Sequence, residues 1–450
     1  MVSLKKAILI RICVVSMRFV FSLVTLTLAL CGASVSCFAA LANVEETNLK
    51  ESILFALDRD PVISRQAAQM GIGQAMTKEA KSGWMPQIGL TASTGHSQTT
   101  DSSGSLNNSA AWGITVTQLV YDFGKTNSAI AQSEAQYESY RYQLMATLSE
   151  VAEKAAQGYV EVKRYSALVN AARENIAALE KIQHLAQLRA GAGLSSTSDD
   201  LQTQTRIAGM RATLEQYDAA LQKAKAVLAV QTGISAHRYA RLPENLEAKQ
   251  VAVDDIDYSR IPAVLSARAM VTSAQHGIDR AKAQHLPTLS LKAGRTRYES
   301  DNRGYWDDQI QLSVDAPLYQ GGAVSARVDQ AQGAKAMAAS EEEKARFDIL
   351  QKASSAMADW KGARGREDAG KFQLVNAMQT RSVYKNEYTL SKKSINDLLS
   401  VEQDVWQAQS SRINAEYDGW SAAIQYATAV DNLLPLIGIE KQASKKLPDL

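Results

Sequence analysis

Two kinds of apolar periodicity run along this chain, and each occurs twice. After Pro86, Ile88, Leu90 and Ala92 alternate with polar Gln87 and Thr91; after a polar interval, Ile114 and Val116 alternate with Thr115 and Thr117. The alternation returns at Leu289, Leu291 and Ala293, among Thr288, Ser290 and Lys292, and again at Ile310, Leu312 and Val314, among Gln311, Ser313 and Asp315. A period of two puts successive side chains on opposite faces, so the pattern predicts four strands, each with one apolar and one polar face. They cover about 86–97, 110–121, 287–298 and 308–317, with the polar segment from Glu299 to Asp308 read as the loop of the second pair.

Elsewhere the period lengthens. Leu144, Leu148, Val151, Ala155, Tyr159 and Val162 recur at spacings of three and four, the stripe of an amphipathic helix. From Lys125 to Ala190 there is no proline and one glycine, Gly158, which predicts a single helix over 125–190. At about 1.5 Å per residue it would reach about 100 Å. A helix of that length has to pack along others as a coiled coil. Gly191 to Thr197 supplies turn residues, Asp199 and Asp200 suit the positive end of a return helix over 198–232, and Gly233 closes it. The second copy predicts a helix over 323–391, a turn at Lys392-Lys393-Ser394 and a return helix over 396–434. Residues 47–83 read as helical, broken near Pro61.

The prolines mark the same duplication: Pro61 and Pro86 are 25 residues apart, as are Pro262 and Pro287, 201 residues further on. The expected organisation is a leader over 1–42, a first repeat over 43–233, a connector over 234–260, a second repeat over 261–438 and a loose charged tail over 439–450.

Composition narrows the picture. A net charge of +2 offers no general basic field for nucleic acid. Lys5, Lys6, Arg11 and Arg18, the apolar run Phe19 to Leu30 and the small-residue site Ala40-Leu41-Ala42 form a secretory leader, with Met17 as a second candidate start. No later window is apolar over about 18 residues, so no membrane-spanning helix is expected. Cys13, Cys31 and Cys37 all fall within the leader, which leaves the mature chain without disulfides or cysteine metal sites. Ser34-Val35-Ser36-Cys37 weakly resembles a lipoprotein cleavage box but lacks the apolar residue three places before the cysteine, which favours plain cleavage.

Catalytic signals are missing. Gly365 to Lys371 has the spacing of a phosphate loop, but Phe372 stands where a magnesium-binding hydroxyl is needed and the segment lies inside a helix. Asp122-Phe123-Gly124 reads as a strand-to-helix turn, and the five histidines show no metal-ligand spacing. No enzyme, cofactor or metal is expected.

Strands of about 9–11 residues, apolar on one face and polar on the other, are the signature of a transmembrane barrel. Trp84, Trp112, Tyr121, Phe123, Tyr298, Trp306 and Tyr319 cluster at the strand ends, where interfacial aromatics belong. A soluble four-stranded sheet with one wet face would alternate in the same way; the leader and the long paired helices favour the barrel. Four strands cannot close a barrel, and an open edge is not tolerated in lipid, so several chains must contribute. Three would give twelve strands and a water-filled bore. The expected fold class is an α+β membrane protein with internal duplication: a long α-helical coiled-coil barrel, plus four strands per chain contributing to a β-barrel that three chains would close with 12 strands.

With this duplication, four strands and two pairs of long helices, the chain resembles the TolC-like outer-membrane factor family over nearly all of its mature length. The resemblance implies a homotrimeric channel-tunnel in the outer membrane with a periplasmic helical extension, acting as the passive exit duct of a tripartite export system. Its implied partners are a periplasmic adaptor (membrane fusion) protein, an inner-membrane ABC or proton-driven transporter and outer-membrane lipid. The tip of the first hairpin matches at Gly193, Leu194 and Ser195, and with Lys392 and Ser394 these are the implied docking residues. Tyr388, Lys393, Asp397 and Leu399 fall where the family carries a tyrosine, a basic residue, an acid and a leucine around its periplasmic constriction. Ser400 replaces a second acid, leaving a single ring at Asp397, and Lys393 replaces an arginine, which weakens any bidentate pair. On this reading Tyr388 and Lys393 hold the hairpin shut through polar contacts with neighbouring coils. Taken alone, an acid placed like Asp397 is more commonly an ordinary helix N-terminal residue. The polar tips lean towards type I protein secretion; multidrug efflux and, in a different class, a periplasmic coiled-coil adaptor or structural protein stay open.

Overall fold

The computed structural model describes residues 42–97, 107–243, 255–300 and 303–439. The predicted leader up to Leu41 with its cysteines, residues 98–106, 244–254 and 301–302, and the tail from Glu440 lie outside them; Ala42, the last residue of the expected cleavage site, opens the first strand.

The chain runs β1 (Ala42–Thr47), α1 (Leu49–Arg59), α2 (Pro61–Ser82), β2 (Gln87–Ser97), β3 (Asn107–Tyr121), α3 (Lys125–Gly191), α4 (Thr197–Thr232) and β4 (Ile234–Tyr239). A 3-10 turn (Tyr258–Arg260) leads into α5 (Pro262–Ala283), β5 (Thr288–Ser300), β6 (Arg303–Asp315), α6 (Ala323–Thr389), α7 (Ile395–Ala429) and α8 (Leu433–Leu436). The break near Pro61 is a helix-to-helix junction at Asp60. Its carboxylate accepts from Val62 N at 2.8 Å, and Pro61 fills the first helical position, where no N–H is needed.

The two long helices, α3 and α6, have 67 residues each. Asp122 launches α3: its buried carboxylate accepts from Gly124 N at 3.2 Å and Thr126 N at 2.7 Å, satisfying orphan donors of the first turn. α2 and α4 pack along α3; α5 and α7 pack along α6; α3 also meets α5 and α7. A spine of small residues on α3, Ala152, Ala155 and Ala156 with Val160 and Val162, brings the helices close and is fully buried. Tyr159, on the same spine, donates its hydroxyl to Ala240 O at 2.8 Å and lies 3.2 Å from Thr47 O, fastening the small β1–β4 sheet to the helices.

The main sheet has the order β2-β3-β5-β6, all pairs antiparallel, so the β3–β5 pairing joins the two halves of the duplication. Its register aligns the alternation of all four strands. One row reads Ile88–Val116–Ala293–Ile310; the row beside it on the opposite face reads Gln87–Thr117–Lys292–Gln311. In the single chain the apolar face is bare, with Ile310 82% exposed.

Several boundaries differ from the sequence expectation. β5 and β6 take up the segment from Glu299 to Asp308 as far as it is described: β5 reaches Ser300 and β6 starts at Arg303. Cross-strand pairs hold that polar stretch: Arg295 Nε lies 3.3 Å from Asp308 Oδ1, and Tyr298 stacks on Tyr305 at 5.3 Å. β3 starts at Asn107, ahead of the expected 110. The expected connector over 234–260 opens with β4, which pairs with β1. The last return helix stops at Ala429, not near 434, because Asp431 turns left-handed (φ 54) and Asn432 N closes the turn on Ala427 O at 2.7 Å; the short helix α8 starts afresh beyond it.

Candidate functional site

Each coil pair ends in a turn, and the two turns are built alike. At the first, Gly193 N donates to Ala190 O at 3.0 Å and Leu194 N to Arg189 O at 2.8 Å, the paired bonds of a Schellman cap. At the second, Ser391 N donates to Tyr388 O at 3.0 Å and Lys392 N to Glu387 O at 2.9 Å. The cap needs a left-handed residue: Gly193 supplies φ 72 freely, whereas Ser391 adopts φ 62 with a side chain in place.

Arg189, near the end of α3, reaches across to that second turn. Its Nη1 donates to Tyr388 O at 2.5 Å, its Nη2 to Ser391 Oγ at 2.7 Å, and its Cζ lies 4.7 Å from the centre of the Tyr388 ring. A cation thereby caps the negative end of the partner helix and steadies the strained serine. Tyr388 is 3% exposed, packed among Ile182, Ala186, Ile395 and Leu399. Its hydroxyl has no hydrogen-bond partner among the described residues. Burial pushes its titration up, the negative charge of Asp199 adds to this, and Arg189 opposes it.

Lys393 extends over the ring of Tyr384, with Nζ 4.3 Å from its centre, rather than towards Tyr388. Ser394 and Asp397 form a capping box: Ser394 N donates to Asp397 Oδ2 at 2.9 Å, and Asp397 N donates to Ser394 Oγ at 3.2 Å. The bond from Ser394 N first, then the Ser394 hydroxyl, which donates to Asp397 Oδ2 at 2.8 Å, and the charge of Lys393 hold the Asp397 carboxyl below the usual carboxylate range. Leu399 is buried beneath the turn, while Lys392 and Leu194 stand exposed at the two tips.

Two acids behind the tips tie the coils together. Asp200 accepts from Gln183 at 2.9 Å, Gln187 at 3.1 Å and Gln204 at 3.0 Å, joining α3 to α4; these bonds, Gln183's foremost, lower its titration. Glu402 on α7 is 1% exposed and faces Asn175 of α3 and Arg381 of α6, each at 3.3 Å. Burial pushes its carboxyl up, against the opposing pull of Arg381. Neither Arg189 nor Glu402 stands out in the sequence: a basic residue in a last helical turn is a known signal, but it says nothing of the partner helix it caps.

At the other end of the chain the aromatics stand in two groups. Tyr121 and Phe123 meet edge-on at 4.7 Å beside the helix starts, where Trp84 donates Nε1 to Asn127 at 3.1 Å and Tyr319 lies open. Trp112 and Trp306 meet edge-on at 5.3 Å towards the far end of the strands.

An open sheet with one bare apolar face, carried on two long duplicated coil pairs, defines a membrane channel subunit. The profile of the outer membrane efflux protein family matches residues 54–233 and 258–431, one segment for each repeat, and the chain belongs to that family. It is 25% identical over 455 residues to the outer membrane protein TolC of Salmonella enteritidis, covering 93% of this chain and 89% of that protein. It is also 25% identical over 393 residues to the protein CyaE of Bordetella pertussis, covering 82% and 81%. Among solved structures, the outer membrane protein VceC of Vibrio cholerae superposes with a TM-score of 0.74 at 18% identity, covering 85% of this chain and 95% of that one, so the two share a fold. The family consists of outer-membrane channels, which locates this chain in the outer membrane with its helices on the periplasmic side.

Proposed function

We propose that three copies of this chain close a twelve-stranded barrel and a helical tunnel, forming the passive exit duct of a tripartite system that secretes a protein by the type I route. The observation that carries the duct is the four-stranded sheet: β2 and β6 each have a free edge among the described residues, and the face between them is apolar. Such edges must be paired in lipid, and three copies supply both the pairing and a bore lined by the polar row that holds Thr117, Lys292 and Gln311.

At the periplasmic end, Tyr388, Lys393 and Asp397 form the constriction, with Arg189 as its clasp, and Gly193, Leu194, Ser195, Lys392 and Ser394 meet the adaptor that links the duct to an inner-membrane transporter. Polar, exposed turns at both tips support a protein-secretion partner. Export of small molecules is the second reading, favoured by the efflux description of the family.

Membrane fractionation and native mass spectrometry test the duct: a trimer that stays in the outer membrane after a urea wash is expected, and a monomer soluble without detergent would overturn it. Deleting the gene separates the two cargoes, through loss of a secreted protein from the medium or through accumulation of dyes and antibiotics in the cell.

A further inference from the structure

The apolar face of the sheet changes character towards its far end. Past the row Ile88–Val116–Ala293–Ile310 comes Leu90–Ile114–Arg295–Asp308, and then Ala92–Trp112–Arg297–Trp306. Two arginines and two tryptophans therefore share the face that carries the apolar stripe.

Their positions are fixed by contacts. The guanidinium carbons of Arg295 and Arg297 lie 4.7 and 5.6 Å from the centre of the Trp306 ring, and Trp112 meets that ring edge-on. Gly304 makes room for Arg297: a Cβ there would stand 2.5 Å from Nη2 and 3.0 Å from Cζ. Asp308 and Glu299 approach Arg295 and Arg297 at Nε, at 3.3 and 3.5 Å, which among the described residues leaves the terminal amino groups of both forks for another acceptor.

Depth in the membrane follows from the register. Tyr121, opposite Leu289, marks the helix end of the face, and Trp112, opposite Arg297, marks the far end. With about 3.4 Å per residue and a strand tilt of about 40°, the two rows stand roughly 20–25 Å apart, the height of an outer-membrane apolar band. The arginine–tryptophan row then lies level with the headgroups of the leaflet facing away from the helices.

We propose that this patch binds the phosphorylated sugar headgroup of an outer-leaflet glycolipid. Guanidinium forks match phosphate oxygens two by two, and the indole rings, partly exposed beside them, offer flat apolar surface to a sugar ring at the membrane boundary. The inference rests on the outer-membrane barrel proposed above and names the lipid that the barrel holds.

The trimer is placed in phosphatidylcholine nanodiscs containing lipopolysaccharide, dephosphorylated lipopolysaccharide or phosphatidylglycerol, and retained lipid is counted by native mass spectrometry. The native chain is expected to retain lipopolysaccharide at least about tenfold better than the other two lipids. The R295Q/R297Q variant should lose that preference, while Lys292→Gln on the opposite face should keep it. Equal retention of the phosphorylated and dephosphorylated forms, equal retention of phosphatidylglycerol, or an unchanged double variant would each overturn the proposal. A chain that fails to insert as a trimer overturns the barrel and this inference together; a trimer that inserts without the preference overturns the inference alone.

Discussion

Arg189 and Tyr388 belong to different coil pairs, yet one guanidinium both covers the tyrosine ring and takes its carbonyl. Tyr388 O already accepts from Ser391 N within the turn, so Arg189 gives it a second, charged donor, and the contact spans 199 residues of sequence. Where Gly193 gives the first tip its left-handed turn without strain, the second tip uses Ser391 and relies on Arg189 to hold it.

Arg189→Ala should therefore loosen the second tip. Loss of a charged, half-buried donor is expected to cost about 1–3 kcal/mol locally, read as faster amide exchange at Ser391 and Lys392. Bilayer conductance of the closed channel should rise with it. Arg189→Lys should restore little, since one ammonium cannot match the fork. Tyr388→Phe keeps the ring under Arg189 and removes a hydroxyl that has no partner, so its conductance should stay close to that of the native chain while Tyr388→Ala raises it. High conductance in Tyr388→Phe would show that the hydroxyl, not the ring, closes the tip.

Asp397 serves two roles that substitution can separate. Its carboxylate completes the cap with Ser394, and in a trimer three such charges would face a narrow bore. Asp397→Asn keeps an oxygen for the cap but removes the charge, so cation selectivity should fall while the tip stays folded. Asp397→Ala should lose both. Because the folded carboxyl titrates below its unfolded value, its contribution is present above about pH 4 and is lost as pH drops through the folded value. Amide exchange at the start of α7 should accordingly quicken below about pH 4 in the native chain and show no such step in Asp397→Asn.

Much of the sheet was legible because lipid and water impose opposite demands on alternate residues, and four strands share one register. The stretch from Glu299 to Asp308 was not, because its charges and tyrosines look like a loop until Arg295 is set opposite Asp308 and Tyr298 opposite Tyr305. At the tips, the local cap of Ser394 and Asp397 follows from neighbouring residues. Arg189 acts on Tyr388, 199 residues away, and Glu402 meets Asn175, 227 residues away, as well as Arg381 on the helix before it, and no local pattern records the distant partners.

Glu402 shows how burial reverses the usual pH dependence of an acid. Burial raises its folded value, so the native chain loses stability as pH climbs from the ordinary glutamate value, about 4.3, through the raised one. Glu402→Gln removes that charge and can still accept from Asn175. The melting temperature of the variant relative to the native chain should rise as pH climbs from the ordinary glutamate value through the raised one. A flat difference would mean that Arg381 fully compensates the buried charge.

Ile310 and Gln311 are neighbours on β6 and face opposite ways, which makes them a direct probe of which side meets lipid. Ile310 lies in a row of apolar residues roughly midway between the two aromatic groups; Gln311 lies in the polar row with Lys292 and Thr117. An arginine in the middle of a barrel's lipid face costs about 2–4 kcal/mol, and snorkelling cannot easily relieve it at that depth. The same residue in a water-filled bore costs little, although it would sit opposite Lys292 and shift ion selectivity towards anions. Ile310→Arg should thus deplete heat-resistant trimer from the outer membrane, while Gln311→Arg should assemble normally with altered reversal potential. If the two variants exchange phenotypes, the apolar face lines the interior and the barrel is inside out; if both assemble normally, the sheet does not sit in lipid at all.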